Sequence, residues 1–194
     1  MNKDYLSVFE PYLQQIADES VRESVVAIWN DLFAQSKWND IFDAPSELNE
    51  TAITLVQHSA NVAAYVIALA KVYGPAYAHK GMVFNMDVLI AGALLHDVSK
   101  LMEYEPTVKG PVRSELGKLY GENFFVVNQI LEKKLPFEVM HIVVADASKT
   151  KPAPATREAL LVYFADRIDM DIRNNMAGRD QRAKNANYLV THND

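Results

Sequence analysis

His96 and Asp97 stand side by side at the end of an apolar run, LIAGALLHDVSK. A carboxylate closing so oily a helix needs compensation, because an unpaired buried charge costs several kcal/mol or more. Imidazole and carboxylate together form a donor set for a divalent metal. Two further residues fit that chemistry: His58 lies upstream on an apolar helical face, and Asp166 interrupts the apolar segment LLVYFADRID. Adjacent helical residues diverge by about 100°, so His96 and Asp97 reach one ion only where their helix ends and VSK begins to turn. Lys100 stands one turn past His96. Each residue also has a bland account. His58 alone reads as a core histidine, Asp166 as a partner for Arg157, Arg167 or Arg173, and Lys100 as a solvated helix-end lysine.

The elements that must position these residues read as helices almost throughout. Phe9, Tyr12, Leu13 and Ile16 mark one amphipathic segment, and Val21, Val25, Ile28, Trp29, Leu32 and Phe33 mark a second. A helix from roughly Thr51 to Tyr73 carries His58 and is stopped by Gly74-Pro75. Asn85 caps the helix that ends in His96-Asp97, with Asp87 in its first turn. Ser114 caps a helix through LYGENFFVVNQILEKK, Pro136 opens PFEVMHIVVADA, SKTKPAPAT is a loop, and REALLVYFADRIDMDIRNNM is a long last helix. The expectation is an all-α bundle of about six to eight helices around one metal site. N-terminal helices (1–45) pack on a core domain (46–177), and a polar tail follows (178–194).

Composition removes several alternatives. The 194 residues contain no cysteine, which excludes disulfides, zinc–thiolate sites and thiol nucleophiles. A net charge of −6 argues against duplex nucleic acid and acidic membranes. No uninterrupted apolar run reaches about 18 residues, so no membrane span is expected. MNKDYLSVFEPYLQQ has no signal-peptide core, and a cytoplasmic protein is expected. Trp29, Phe33 and Trp38 either complete the core or support a homodimer.

The order His58, His96-Asp97, Asp166 resembles the HD superfamily of metal-dependent phosphohydrolases, an all-helical fold named for its His-Asp doublet. HDVSK is similar to the family's doublet followed by Ile-Gly-Lys, and YFADRID to its closing Ala-Asp segment. The resemblance spans about residues 50 to 172. It implies that His58, His96, Asp97 and Asp166 ligate one divalent ion (Mn, Fe, Ni, Zn or Mg). The motif layout is closest to the HD domains of bacterial 3′-5′ exoribonucleases, on GKLYGEN, VADASK and PATREALLVYFAD. Three histidines of that pattern are replaced: the first by Glu122, the adjacent pair by Asp146 and Ala147. Those positions hold a second ion in two-metal members. Here, Glu122 and Asp146, with His141 nearby, are candidates for a second metal or for substrate.

The implied function is hydrolysis of a phosphoester in a nucleotide or related small molecule by a metal-activated water. Asp97 and Lys100 are the catalytic candidates in that reading, Lys100 being placed to touch a phosphate oxygen. Asp169, three residues after Asp166, is a candidate to support a ligand from behind. Arg167 and Arg173 are further phosphate candidates, and Glu103 is a candidate for proton transfer. The alternative is a degenerate HD domain that binds metal or nucleotide in a regulatory role.

Overall fold

The computed structural model describes residues 4–48, 53–146 and 153–176. Helices α1 (Leu6–Leu13) and α2 (Glu19–Gln35) precede α3 (Leu55–Tyr77) and α4 (Met86–Leu95). A single turn, α5 (Lys100–Glu103), leads into a two-stranded hairpin, β1 (Tyr104–Glu105) and β2 (Val112–Arg113). Then come α6 (Glu115–Tyr120), α7 (Phe124–Glu132), α8 (Phe137–Asp146) and α9 (Arg157–Met176). The all-α class expected from the sequence is the one observed, with the hairpin as its sole sheet among the described residues. The hairpin is antiparallel, Tyr104 pairing with Arg113 and Glu105 with Val112.

Helix α4 is the centre of the bundle and packs against α2, α3, α8 and α9. Every residue from Val88 to Leu95 is buried, as expected for a helix apolar on all sides. Asn85 caps it through Oδ1, which accepts the Val88 N–H at 3.2 Å. Asp87 in its first turn also accepts the backbone N–H groups of Ala17 and Asp18, tying the start of α2 to α4. Trp29 of α2 is fully buried and donates its indole N–H to the Leu94 carbonyl at 2.9 Å. Trp38 is also buried, and Phe33 packs partly buried against the core, so these aromatics complete the interior.

Two local expectations need correction. Gly74-Pro75 does not stop α3, which runs on to Tyr77. Pro75 lies in an exposed last turn, where water can satisfy the Lys71 carbonyl that the proline cannot bond. The reversal comes at Gly81, whose φ of 70° ends the following short 3₁₀ turn. Ser114 caps a helix as expected, its Oγ accepting the Gly117 N–H at 2.9 Å, but that helix ends at Tyr120. Gly121 and Asn123 both take positive φ, 74° and 63°, and split the expected long helix into α6 and α7. Leu55–Lys80 is long and apolar enough by length and composition alone to cross a membrane. Its buried residues, from Leu55 to Ala70, pack in the fold against α4 and α9 among others, as in the core helix of a bundle.

Candidate metal centre

Three elements bring the doublet and its partners together. His58 projects from α3 and is 1% exposed. Helix α4 closes at Leu95, and the chain continues through tight turns, Val98 N–H to Leu95 and Lys100 N–H to Asp97. His96 and Asp97 thus lie beyond the regular helix, where both can converge on one point. Asp166, Asp169 and Arg173 lie along one face of α9 at spacings of three and four.

One ligand atom from each of His58, His96, Asp97 and Asp166 lies within 4.8 Å of all the others. His58 Nε2 is 3.2 Å from His96 Nε2, 3.1 Å from Asp166 Oδ1 and 3.3 Å from Asp97 Oδ2. His96 Nε2 is 3.6 Å from Asp97 Oδ2 and 3.8 Å from Asp166 Oδ1. Donors about 2.0–2.2 Å from one ion lie at such separations from each other.

The tautomers make the case for a cation. His96 Nδ1 lies 2.7 Å from the Ala93 carbonyl, which only accepts, so Nδ1 carries the proton. His58 Nδ1 lies 2.8 Å from Asp169 Oδ2, which fixes the same tautomer. A longer approach of Arg173 Nη2 to His58 Nδ1, at 3.4 Å, yields to that carboxylate. Two imidazole lone pairs and two carboxylates then face one another in a buried space. Four acceptors with no donor among them require a positive charge, and two nitrogens with two oxygens suit a divalent metal.

Protonation follows the same field. Without an ion, burial opposes a charge on His58, but hydrogen bonds to Asp166, Asp169 and Asp97 outweigh it and push its pKa up to about 10, so a proton on Nε2 then supplies the positive charge that a metal would displace. Asp166 resists burial through its bonds to His58 and His96 and is held well below the usual carboxylate range. Asp97 is likewise lowered despite burial, chiefly by Lys100 and His96. Lys100 overcomes its own burial through Asp97 and is raised.

Supporting residues surround the four. Asp169 Oδ2 also accepts from Arg173 Nε at 2.8 Å, and Arg173 Nη1 reaches Ser46 Oγ at 3.1 Å. Lys100 Nζ donates to Asp97 Oδ2 and to the Ser46 carbonyl, the latter at 2.7 Å. Ser46, in the turn before α3, is fully buried and joins both cations. No motif marked it, since its role depends on partners far along the chain.

A cavity of about 270 Å³ opens onto this cluster. Asp97, Lys100, Glu103, Glu122, Asp166 and Arg167 contribute to its lining. Glu122 thus borders the site and lies 3.7 Å from Arg113 Nη2. His141 is not among the lining residues; its Nε2 accepts the Ala155 N–H at 2.9 Å, just before α9. Asp146 ends α8, but its side chain, like Ala147 and residues 178–194, lies outside the described residues. Arg173 is committed to Asp169 and Ser46, whereas Arg167 borders the cavity with its guanidinium 5.9 Å from the Tyr163 ring.

An all-helical bundle that buries two imidazoles and two carboxylates beneath a small polar cavity defines a metal-dependent hydrolase architecture. The HD domain family model matches residues 55–171, and the chain belongs to that family. A dihydroneopterin 2′,3′-cyclic phosphate phosphodiesterase from Methanocaldococcus jannaschii is 26% identical over 197 aligned residues, covering 93% of this chain and 75% of that protein. No solved structure matches the chain significantly. Family and site together make the chain a metal-dependent phosphohydrolase. The exoribonuclease likeness stands on the sequence motifs alone.

Proposed function

We propose that this protein is a phosphodiesterase that opens a cyclic phosphate, or cleaves a comparably small phosphodiester, on a nucleotide-like molecule. The observation that carries the reading is the donor set of His58, His96, Asp97 and Asp166 at the floor of a cavity of about 270 Å³. That volume is at or just below the small end of ligand pockets, which run from about 300 Å³ upward. The relative from Methanocaldococcus jannaschii is named for hydrolysis of a 2′,3′-cyclic phosphate, which supports this bond type.

His58, His96, Asp97 and Asp166 would hold the ion, which supplies an acidified water and neutralises charge on the phosphoryl group. Asp97, which lines the cavity while its Oδ2 meets His58 and Lys100, would also orient the water. Lys100 has three donors; Asp97 and Ser46 take two, leaving one for a phosphate oxygen. Arg167, bordering the same cavity, is placed for the outer phosphate oxygen or the sugar edge.

The test is hydrolysis by manganese-loaded protein of a nucleoside 2′,3′-cyclic phosphate, dihydroneopterin 2′,3′-cyclic phosphate, a linear dinucleotide and a nucleoside 5′-monophosphate. Chromatography should show ring opening to a monoester, abolished by Asp97→Ala. Turnover of the monophosphate alone would contradict the phosphodiesterase assignment. No turnover of any of them would leave the regulatory reading in its place.

A further inference from the structure

We propose that Glu103 is the acid that protonates the leaving oxygen of the substrate, an inference that rests on the phosphodiesterase reading above. The metal and phosphate chemistry leaves this residue unused, yet Glu103 is 1% exposed and borders the same cavity as Asp97, Lys100 and Asp166.

The fold fixes its position from three sides. The Glu103 carbonyl accepts the Ser114 N–H at 2.8 Å, closing the hairpin. Gly117 of α6 lies so near that a Cβ there would sit 2.4 Å from the Glu103 carbonyl oxygen and 2.9 Å from its Cα. The carboxyl itself accepts, on Oε1, the backbone N–H of Asn123 at 2.9 Å, and Asn123 is held in left-handed conformation between α6 and α7. Oε2 makes no hydrogen bond among the described residues and forms a long ion pair with Arg113 Nη2 at 3.7 Å. A pinned carboxyl with one oxygen free of hydrogen bonds beside the cavity suits proton delivery.

Its surroundings favour the neutral acid. Asp97 and Lys100 face it from the 97–100 turn, Tyr104 and Arg113 from the hairpin, and Glu122 with Asn123 from the α6–α7 turn. Burial, aided by Asp97 and Glu122 against the Asn123 N–H and Lys100, pushes the carboxyl up to about 7. An acid is most effective when its pKa lies near the working pH. The other carboxylates of the cavity serve less well: Asp97 and Asp166 stay ionised in the metal cluster, and Glu122 is about one-third exposed (34%).

The step balances. The water oxygen forms a bond to phosphorus while the bond from phosphorus to the sugar oxygen breaks. The electron pair of the broken bond stays on the sugar oxygen, which takes the Glu103 proton and leaves as an alcohol. The proton released by the water restores the carboxyl, giving one monoester and one hydroxyl for one water consumed.

Leaving-group dependence separates this role from a structural one. Glu103→Gln keeps the side-chain length and an oxygen for the Asn123 N–H but has no acidic proton. The two probes are a nucleoside 2′,3′-cyclic phosphate, whose alkoxide needs a proton, and bis(4-nitrophenyl) phosphate, whose phenolate leaves without one. The variant's loss of kcat on the cyclic ester should exceed its loss on the aryl ester by about 10²-fold or more. For the wild-type protein, kcat/KM on the cyclic ester should fall above about pH 7. That limb should be missing with the aryl ester, a comparison that decides the matter even if the variant fails to fold. Equal losses on both esters, or parallel wild-type profiles, would overturn the role of Glu103 while leaving the phosphodiesterase reading intact. Absence of wild-type turnover on either would overturn both.

Discussion

Asp169 never touches the point where the four donors meet, yet its replacement by Asn should loosen the metal. Its Oδ2 accepts from both His58 Nδ1 and Arg173 Nε, each at 2.8 Å, with Asn61 and Tyr65 approaching Oδ1 at 3.4 Å. The carboxylate therefore holds the His58 ring with Nε2 deprotonated and inward, and it raises the basicity of that nitrogen. Asn keeps an acceptor of the same shape for both donors but carries no charge, so each of the two bonds weakens. Loss of a carboxylate behind a ligating histidine typically lowers metal affinity about 10–100-fold. That corresponds to about 1.4–2.8 kcal/mol. Arg173, itself 9% exposed, loses its nearest counter-charge, so the metal-free fold should weaken as well. Breaking a buried pair outright costs about 3–5 kcal/mol, and the retained Asn oxygen should keep the loss below that range. Chelator competition with Mn²⁺ measures the first quantity, and urea unfolding of metal-free protein the second. An Asp169→Asn affinity within about twofold of wild type, in protein that remains folded, would refute the argument that Asp169 sets the His58 tautomer.

Three further outcomes follow from the packing and the charges. Glu103 has a folded pKa of about 7 against an ordinary value of 4.5, so the folded protein retains a proton that the unfolded chain releases. Stability should therefore fall as pH rises from 4.5 through about 7, and metal-free Glu103→Gln, which lacks this dependence, should gain up to roughly 3 kcal/mol on wild type across that interval by urea melts at each pH. A flat difference between the two proteins would contradict the burial argument. Gly117→Ala forces a Cβ onto the Glu103 backbone, which a side-chain rotation cannot relieve, and should cost about 1–3 kcal/mol in the same assay; a neutral effect would mean that α6 shifts freely. Trp29→Ala empties a fully buried site and strips the Leu94 carbonyl of its indole partner, so thermal unfolding should register a loss of about 3–5 kcal/mol; less than about 1 kcal/mol would show that α2 is not integral to the core.

The chemistry of this chain was legible because it sits on periodic helices. An apolar run closing in His96-Asp97 gives the buried helix and its functional end at once. The spacing of Asp166, Asp169 and Arg173 places three charges on one face before any contact is known. Residues whose roles depend on distant partners were hidden. Ser46 has no motif and acquires meaning only where Lys100 and Arg173 meet it. The break between α6 and α7 escaped the reading because the apolar residues on either side of Gly121-Glu122-Asn123 were joined into one helix, although the positive φ at Gly121 and Asn123 suits these turn-forming residues. His141 looked like a ligand by residue type, but its ring nitrogen accepts a backbone N–H across the α8–α9 connection. Residue type and periodicity find a metal cluster; they do not find what fixes its members in place.

The central claim is that His58, His96, Asp97 and Asp166 hold one divalent ion that the enzyme needs. Anomalous diffraction at the manganese edge, from crystals of manganese-loaded protein, tests it most directly. The account predicts a single strong peak about 2.0–2.3 Å from His58 Nε2, His96 Nε2, Asp97 and Asp166, absent from Asp97→Ala crystals of protein without turnover. A peak elsewhere, or full turnover by protein with no metal between these four side chains, would contradict it.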